Sequence, residues 1–184
     1  LYPEKDYLSP IYSLFTSFLE YTETIDAKEA PSLMVDAYLS TGKEIVFDRL
    51  KEKYNLDAKY RQNFRHLNVN AKLPLKLLPD DGLLAFQQIV VIERPQIFIL
   101  TNDNPDQQLN TIKQTEWHGL DPYLNCYFAD EIAPKPETDS LDLLIKNHNL
   151  QRRNILMIGN SDVDRQCADA SGVDLIKPIE FSEV

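Results

Sequence analysis

The stretch that most constrains this chain is an apolar strand running straight into an oxygen-rich turn. In Asn154-Ile155-Leu156-Met157-Ile158-Gly159-Asn160-Ser161-Asp162-Val163-Asp164, four consecutive apolar residues read as a strand buried on both faces. Gly159 breaks it. A turn carrying Asn160, Ser161, Asp162 and Asp164 leads into a helix through Arg165-Gln166-Cys167-Ala168-Asp169-Ala170. Oxygen donors therefore fall at the carboxyl end of a parallel strand, the place where open α/β sheets bind ligands. Such donors suit a hard cation such as Mg²⁺. They equally suit a plain strand-to-helix loop in which Asp and Asn act as caps, and the stretch alone leaves the two readings even.

The same grammar recurs elsewhere in the chain. Ile97-Phe98-Ile99-Leu100 reads as a second buried strand, Cys126 to Phe128 as a short one and Val173 to Ile176 as the last. Helical patterns separate them: one from Asn104-Pro105 through Lys113, one from Pro136 to His148 and one from Asp162 to Ala170. Another starts at Pro79-Asp80-Asp81-Gly82 and runs through Leu83, Phe86 and Ile89. Strands alternating with helices imply a parallel sheet with right-handed crossovers. Before Leu73-Pro74 the pattern is wholly helical. Ser9-Pro10 reads as a helix start, Asp26 with Glu29 as a capping box, Gly42 as a stop and Asp57 as a fourth helix cap.

Composition narrows the function. At 184 residues the chain has room for one substantial domain, or for a core with an insert. The net charge of −10 argues against a nucleic-acid or anionic-membrane surface, and no apolar run reaches membrane-spanning length. Cys126 and Cys167 lack metal-type spacing, so buried thiols in a reducing, cytoplasmic setting are expected. His66, His118 and His148 show no ligand spacing, and Trp117 is expected to pack.

Three features then fall in order at the ends of strands or turns. Ile97-Leu100 ends in Thr101-Asn102-Asp103-Asn104, where a hydroxyl and backbone N–H groups can hold a phosphoryl oxygen. Ala133-Pro134-Lys135-Pro136 places one lysine between two prolines, whose restrained backbone aims the ammonium. Gly159 to Asp164 supplies the oxygens. Together they resemble the haloacid dehalogenase superfamily of phosphatases and phosphotransferases, with the match best over residues 76–184. The resemblance implies a three-layer, Rossmann-like α/β parallel-sheet core from residues 1–8 and 74–184, with residues 9–73 inserted as a small helical cap. It makes Thr101 and Lys135 catalytic and Asn102 a substrate contact through its backbone N–H. It assigns Asn160 and Asp164 to Mg²⁺. Tyr12, Tyr38 and Arg49 are expected in the substrate pocket.

Two departures from the family pattern shape the functional expectation. Asn160 replaces the first acid of the metal turn, which lowers the charge there. The family's Asp-x-Asp-x-Thr nucleophile segment is absent. In similar proteins it runs into a sequence close to Leu1-Tyr2-Pro3-Glu4, so the given chain is expected to start just after it. The expected activity is a Mg²⁺-dependent phosphomonoester hydrolase. It would act on a small phosphorylated metabolite through an aspartyl-phosphate on an upstream Asp, as a monomer or homodimer with no nucleic-acid or membrane partner. The alternatives are a non-catalytic binding protein of the same fold that has lost the nucleophile, and phosphomutase or dehalogenase chemistry. A phospho-receiver domain shares the Thr and Lys-Pro features, but it needs no helical block and carries its acidic turn before the lysine.

Overall fold

The computed structural model of the chain describes residues 4–23, 26–79 and 95–178. These divide into two compact units. The described residues up to Leu77, with Leu109–Gln114, form a helical unit; those of 78–108 and from Thr115 onward form an α/β unit. Residues 4–8, expected with the α/β part, belong to the helices. The helix expected from Pro79 through Ile89, with Asp81, lies outside the described residues apart from Pro79.

The helical unit is built on α1 (Glu4–Glu23), α2 (Ala30–Thr41), α3 (Val46–Tyr54) and α4 (Tyr60–Asn70). Helix α1 buries Tyr7, Leu8, Ile11, Tyr12, Phe15 and Leu19 along one stripe, the 3.6-residue period of a core-facing helix. The Phe15 ring lies 5.0 Å from Phe64 and 6.2 Å from Phe47. This helix corrects the sequence reading, because it is already helical at Glu4 and keeps Pro10 inside it. An internal proline costs about 3 kcal/mol, whereas burying Tyr7 and Leu8 returns roughly 1.5–3 kcal/mol each. Burial wins, and the helix runs through the proline.

Two other helix starts also differ from expectation. Glu29 precedes α2 without a side-chain cap bond, and Asp26 instead accepts the Lys28 N–H at 3.3 Å in a local turn. Asp57 accepts the Lys59 N–H at 2.8 Å one turn before α4 begins. Gly42 does end α2, at φ 95°, a left-handed value that favours glycine.

In the α/β unit, β1 (Ile97–Thr101) pairs in parallel with β2 (Leu124–Phe128), Ile97 facing Leu124 and Thr101 facing Phe128. Strand β3 (Leu156–Ile158) pairs in parallel with β4 (Asp174–Ile176). The Gly159 N–H carries that ladder one step further, to the Ile176 carbonyl at 3.1 Å. Helix α5 (Pro105–Gln114) follows β1, α6 (Asp139–Asn147) follows β2, and α7 (Asp162–Ser171) links β3 to β4. This is the βαβ grammar of a Rossmann-like α/β fold. Among the described residues the strands form two separate two-stranded sheets.

Strand β3 departs from the sequence reading. Leu156 is 48% exposed and Ile158 39% exposed. They stand two apart and so share one face of the strand, a face that stays partly exposed among the described residues.

Candidate active site

The turn after β1 is held by its own polar groups. The Thr101 hydroxyl oxygen accepts the Asp103 N–H at 3.2 Å. The Asp103 carboxylate accepts from Gln108 Nε2 at 2.7 Å, and Asn104 Oδ1 accepts the Gln107 N–H at 3.2 Å, a cap on the first turn of α5. Asn102 reaches far along the chain. Its Oδ1 accepts the Lys135 backbone N–H at 2.8 Å, and its Nδ2 donates to the Lys135 carbonyl at 2.8 Å.

Lys135 stands between Pro134 and Pro136. Its ammonium donates to the Leu100 carbonyl at 3.0 Å and to Asp164 Oδ1 at 2.5 Å. The two side chains are 10% and 11% exposed, so the pair is largely shielded from water. Such a pair is worth having only when its remaining hydrogen-bonding capacity is filled. On the Asp164 side much of it is used: Oδ2 accepts from the Ser161 hydroxyl at 2.6 Å and from the Ser161 N–H at 3.2 Å. The Asp164 N–H donates to Ser161 Oγ at 3.2 Å, which completes a reciprocal capping box at the start of α7.

Burial acts to raise the Asp164 pKa, but the bonds from Lys135 and Ser161 and the ammonium's charge outweigh it, so the carboxyl titrates below its ordinary range. Gly159 makes room for this carboxylate. A Cβ on Gly159 would meet the Asp164 side chain at 2.8 Å.

The structure therefore joins Lys135 and Asp164 directly and ties both to the end of β1, through the Leu100 carbonyl and the Asn102 side chain. Thr101 lies between those two anchors in the chain. Asn160 is exposed and stands outside this network. Tyr12 is 1% exposed within the helical core and Tyr38 donates to Glu4 at 2.7 Å. Neither they nor Arg49 line the cavity of about 500 Å³ formed in the helical unit by Leu14, Phe18, Gln62, Asn63, His66 and Leu67.

Known proteins bear on this arrangement. A sequence profile of haloacid dehalogenase-like hydrolases matches residues 11–177. The chain belongs to that family. The fold is also similar to a subfamily IA haloacid dehalogenase-superfamily hydrolase from Geobacter sulfurreducens, at TM-score 0.53 and 18% identity, over 94% of this chain and 80% of that one. It is similar too to the UTR4 protein of Saccharomyces cerevisiae, at TM-score 0.52 and 14% identity, over 95% and 83% of the two chains. No curated protein sequence matches the chain.

Haloacid dehalogenase-like hydrolases imply Mg²⁺, and the donor set tests whether it fits. Among the described residues no group of three or more His, Cys, Asp or Glu side chains is placed to hold an ion. Both Asp164 oxygens are engaged by Lys135 and Ser161. Asn160 and Asp164 do not by themselves compose a magnesium site. No helix among the described residues is long and apolar enough to cross a membrane.

Sequence reasoning missed three participants. Ser161 had a readable signal, since Ser-x-x-Asp ahead of a helix is a capping-box pattern. The Asn102 side chain had none, because its partner lies 33 residues away. The Leu100 carbonyl could not be foreseen, because any strand end offers one.

Proposed function

We propose that this hydrolase is a phosphatase acting on a small phosphorylated metabolite. The observation that carries this reading is the ammonium of Lys135, fixed beside the end of β1 by the Leu100 carbonyl and Asp164. A preorganised cation of this kind stabilises negative charge developing on a transferring phosphoryl group. Thr101 accepts an N–H through its oxygen and so keeps its own proton to donate to a phosphoryl oxygen. The Asn102 backbone N–H is a second donor at the same turn.

In the proposed reaction an aspartate carboxylate oxygen attacks phosphorus. The phosphorus–oxygen ester bond breaks, and the alcohol leaves with a proton from a general acid. Water then attacks the aspartyl-phosphate at phosphorus, which returns the carboxylate and releases inorganic phosphate. No described residue is assigned the role of the attacking aspartate. Lys135 offsets the added charge in both steps. No step is assigned to a metal ion.

The test is phosphate release by the full-length protein from a panel of sugar phosphates, nucleoside monophosphates and phospho-acids, with and without Mg²⁺. Release by the wild type is expected. Thr101→Val should lower kcat by about 10²-fold, the usual effect of removing one oriented donor. Absence of release across the panel overturns the reading. Exposed Asn160, and an Asp164 whose two oxygens already accept from Lys135 and Ser161, favour a second reading, a non-catalytic binding protein. In that case phosphate esters bind calorimetrically and are recovered intact.

A further inference from the structure

We propose that the carboxamide of Asn102 is a positioning residue for Lys135: it recognises the lysine's peptide group and so aims the ammonium. This rests on the phosphatase reading, but it stands on separate geometry. The Asn102 amide offers one acceptor and one donor, and both are matched at 2.8 Å by the N–H and the carbonyl of a single residue, Lys135. Only one orientation of the amide satisfies both groups, so the pairing fixes the lysine's Cα in position and in direction.

The turn that carries Asn102 is itself rigid. Thr101, Asp103 and Asn104 use their side chains within the turn or on the first turns of α5. Asn102 is therefore a short rigid arm extending from the end of β1. From the fixed Lys135 backbone, the side chain then reaches back to the carbonyl of Leu100, two residues before Asn102. The loop leaves β1 at Asn102 and returns to it at Leu100, and the ammonium is trapped between these contacts and Asp164. No other residue type serves. Aspartate sets a carboxylate against the Lys135 carbonyl, and glutamine adds a methylene that pushes the amide out of register.

The experiment uses the full-length protein with Asn102→Ala and Asn102→Asp. The first readout is the rate at which acetic anhydride acylates Lys135, followed by mass spectrometry of its peptide. The wild-type ammonium is shielded. Asn102→Ala should raise its rate about tenfold, the effect of releasing groups held by one or two hydrogen bonds. Asn102→Asp, which keeps one of the two bonds, should fall between. The second readout is p-nitrophenyl phosphate hydrolysis, in which kcat of Asn102→Ala should drop on the order of 10²-fold with KM held within about twofold. An unchanged acylation rate in both variants overturns the proposal, whatever the activity. An accelerated rate with unchanged kcat overturns it as well. If the wild type hydrolyses nothing, the phosphatase reading fails and acylation alone decides the role of Asn102. If Asn102→Ala does not fold, Asn102→Asp is read against the wild type by the same criteria.

Discussion

The two units solve the problem of order by different means. In the helical unit the stripe from Tyr7 to Leu19 packs against Phe47, Leu50 and Phe64 in one large cluster, most of it shielded completely. In the α/β unit one apolar cluster among the described residues centres on Leu141, Cys167 and Val173, and β3 leaves Leu156 and Ile158 partly exposed. What fixes the strand ends there is polar: the Asn102 bracket, the Lys135 ion pair and the Ser161 cap. Apolar packing is non-directional and tolerates rearrangement. Hydrogen-bonded charge demands one geometry and is costly when incomplete. The first suits a scaffold, and the second suits a place where an ammonium must be held in one direction.

Substitutions in each unit can break this contrast. The largest effect is expected from Phe15→Ala, which empties the centre of the aromatic cluster and should cost about 3–5 kcal/mol. Urea unfolding measures the loss, and hydrogen exchange locates it. Faster exchange confined to α1–α4 supports the contrast; an equal rise in β1–β4 removes it.

Next comes Lys135→Met, which keeps the stem and leaves the Asp164 carboxylate without its cation. Breaking one side of a shielded pair should cost roughly 3 kcal/mol at neutral pH. The pH dependence follows from the direction of the Asp164 shift. Its folded pKa lies below its unfolded value, so its contribution is present above the ordinary carboxylate range and is lost as pH falls through the folded pKa. The gap between wild type and Lys135→Met should therefore narrow as urea titrations are moved from pH 7 to about pH 3. A gap independent of pH would show that the lysine acts only through packing.

The smallest effect is expected at Gly159. Gly159→Ala forces its methyl onto Asp164 and should cost about 1–3 kcal/mol. In an Asp164→Gly background, which removes the Asp164 Cβ as well as its carboxylate, that cost should largely vanish, and a double-mutant cycle by urea unfolding measures the difference. Additive losses would mean that the glycine answers to some other neighbour.

Much of this was legible in the sequence. The apolar runs at Ile97-Leu100 and Ile155-Ile158, each ending in a polar turn, announced parallel strands. A lysine between two prolines announced an aimed cation. What failed did so for identifiable reasons. Pro10 signalled a helix start, but local propensity of about 3 kcal/mol lost to the burial of Tyr7 and Leu8 on the same stripe. Asp26 and Glu29 fit a capping pattern, yet Asp26 found a nearer partner in the Lys28 N–H. Hydrophobicity reports that a residue prefers burial and not what covers it, so the exposure of Leu156 was invisible. The pairing of Asp164 with Lys135 across 29 residues has no local signature.

The hydrogen bond from Asn110 Nδ2 to the Tyr7 hydroxyl spans 103 residues at 3.1 Å, and Asn110 and Gln114 also bond the Ala71 carbonyl, each at 2.9 Å. The helical bundle thus borrows its last pieces from far down the polypeptide. During synthesis on the ribosome, its four leading helices emerge and collapse early but stay unfinished until residue 114 has cleared the exit tunnel. Closure of so long a loop makes this unit a late finisher despite its all-helical make-up. Tyr7 waits with its hydroxyl half-satisfied while β1, the first strand described, is being made.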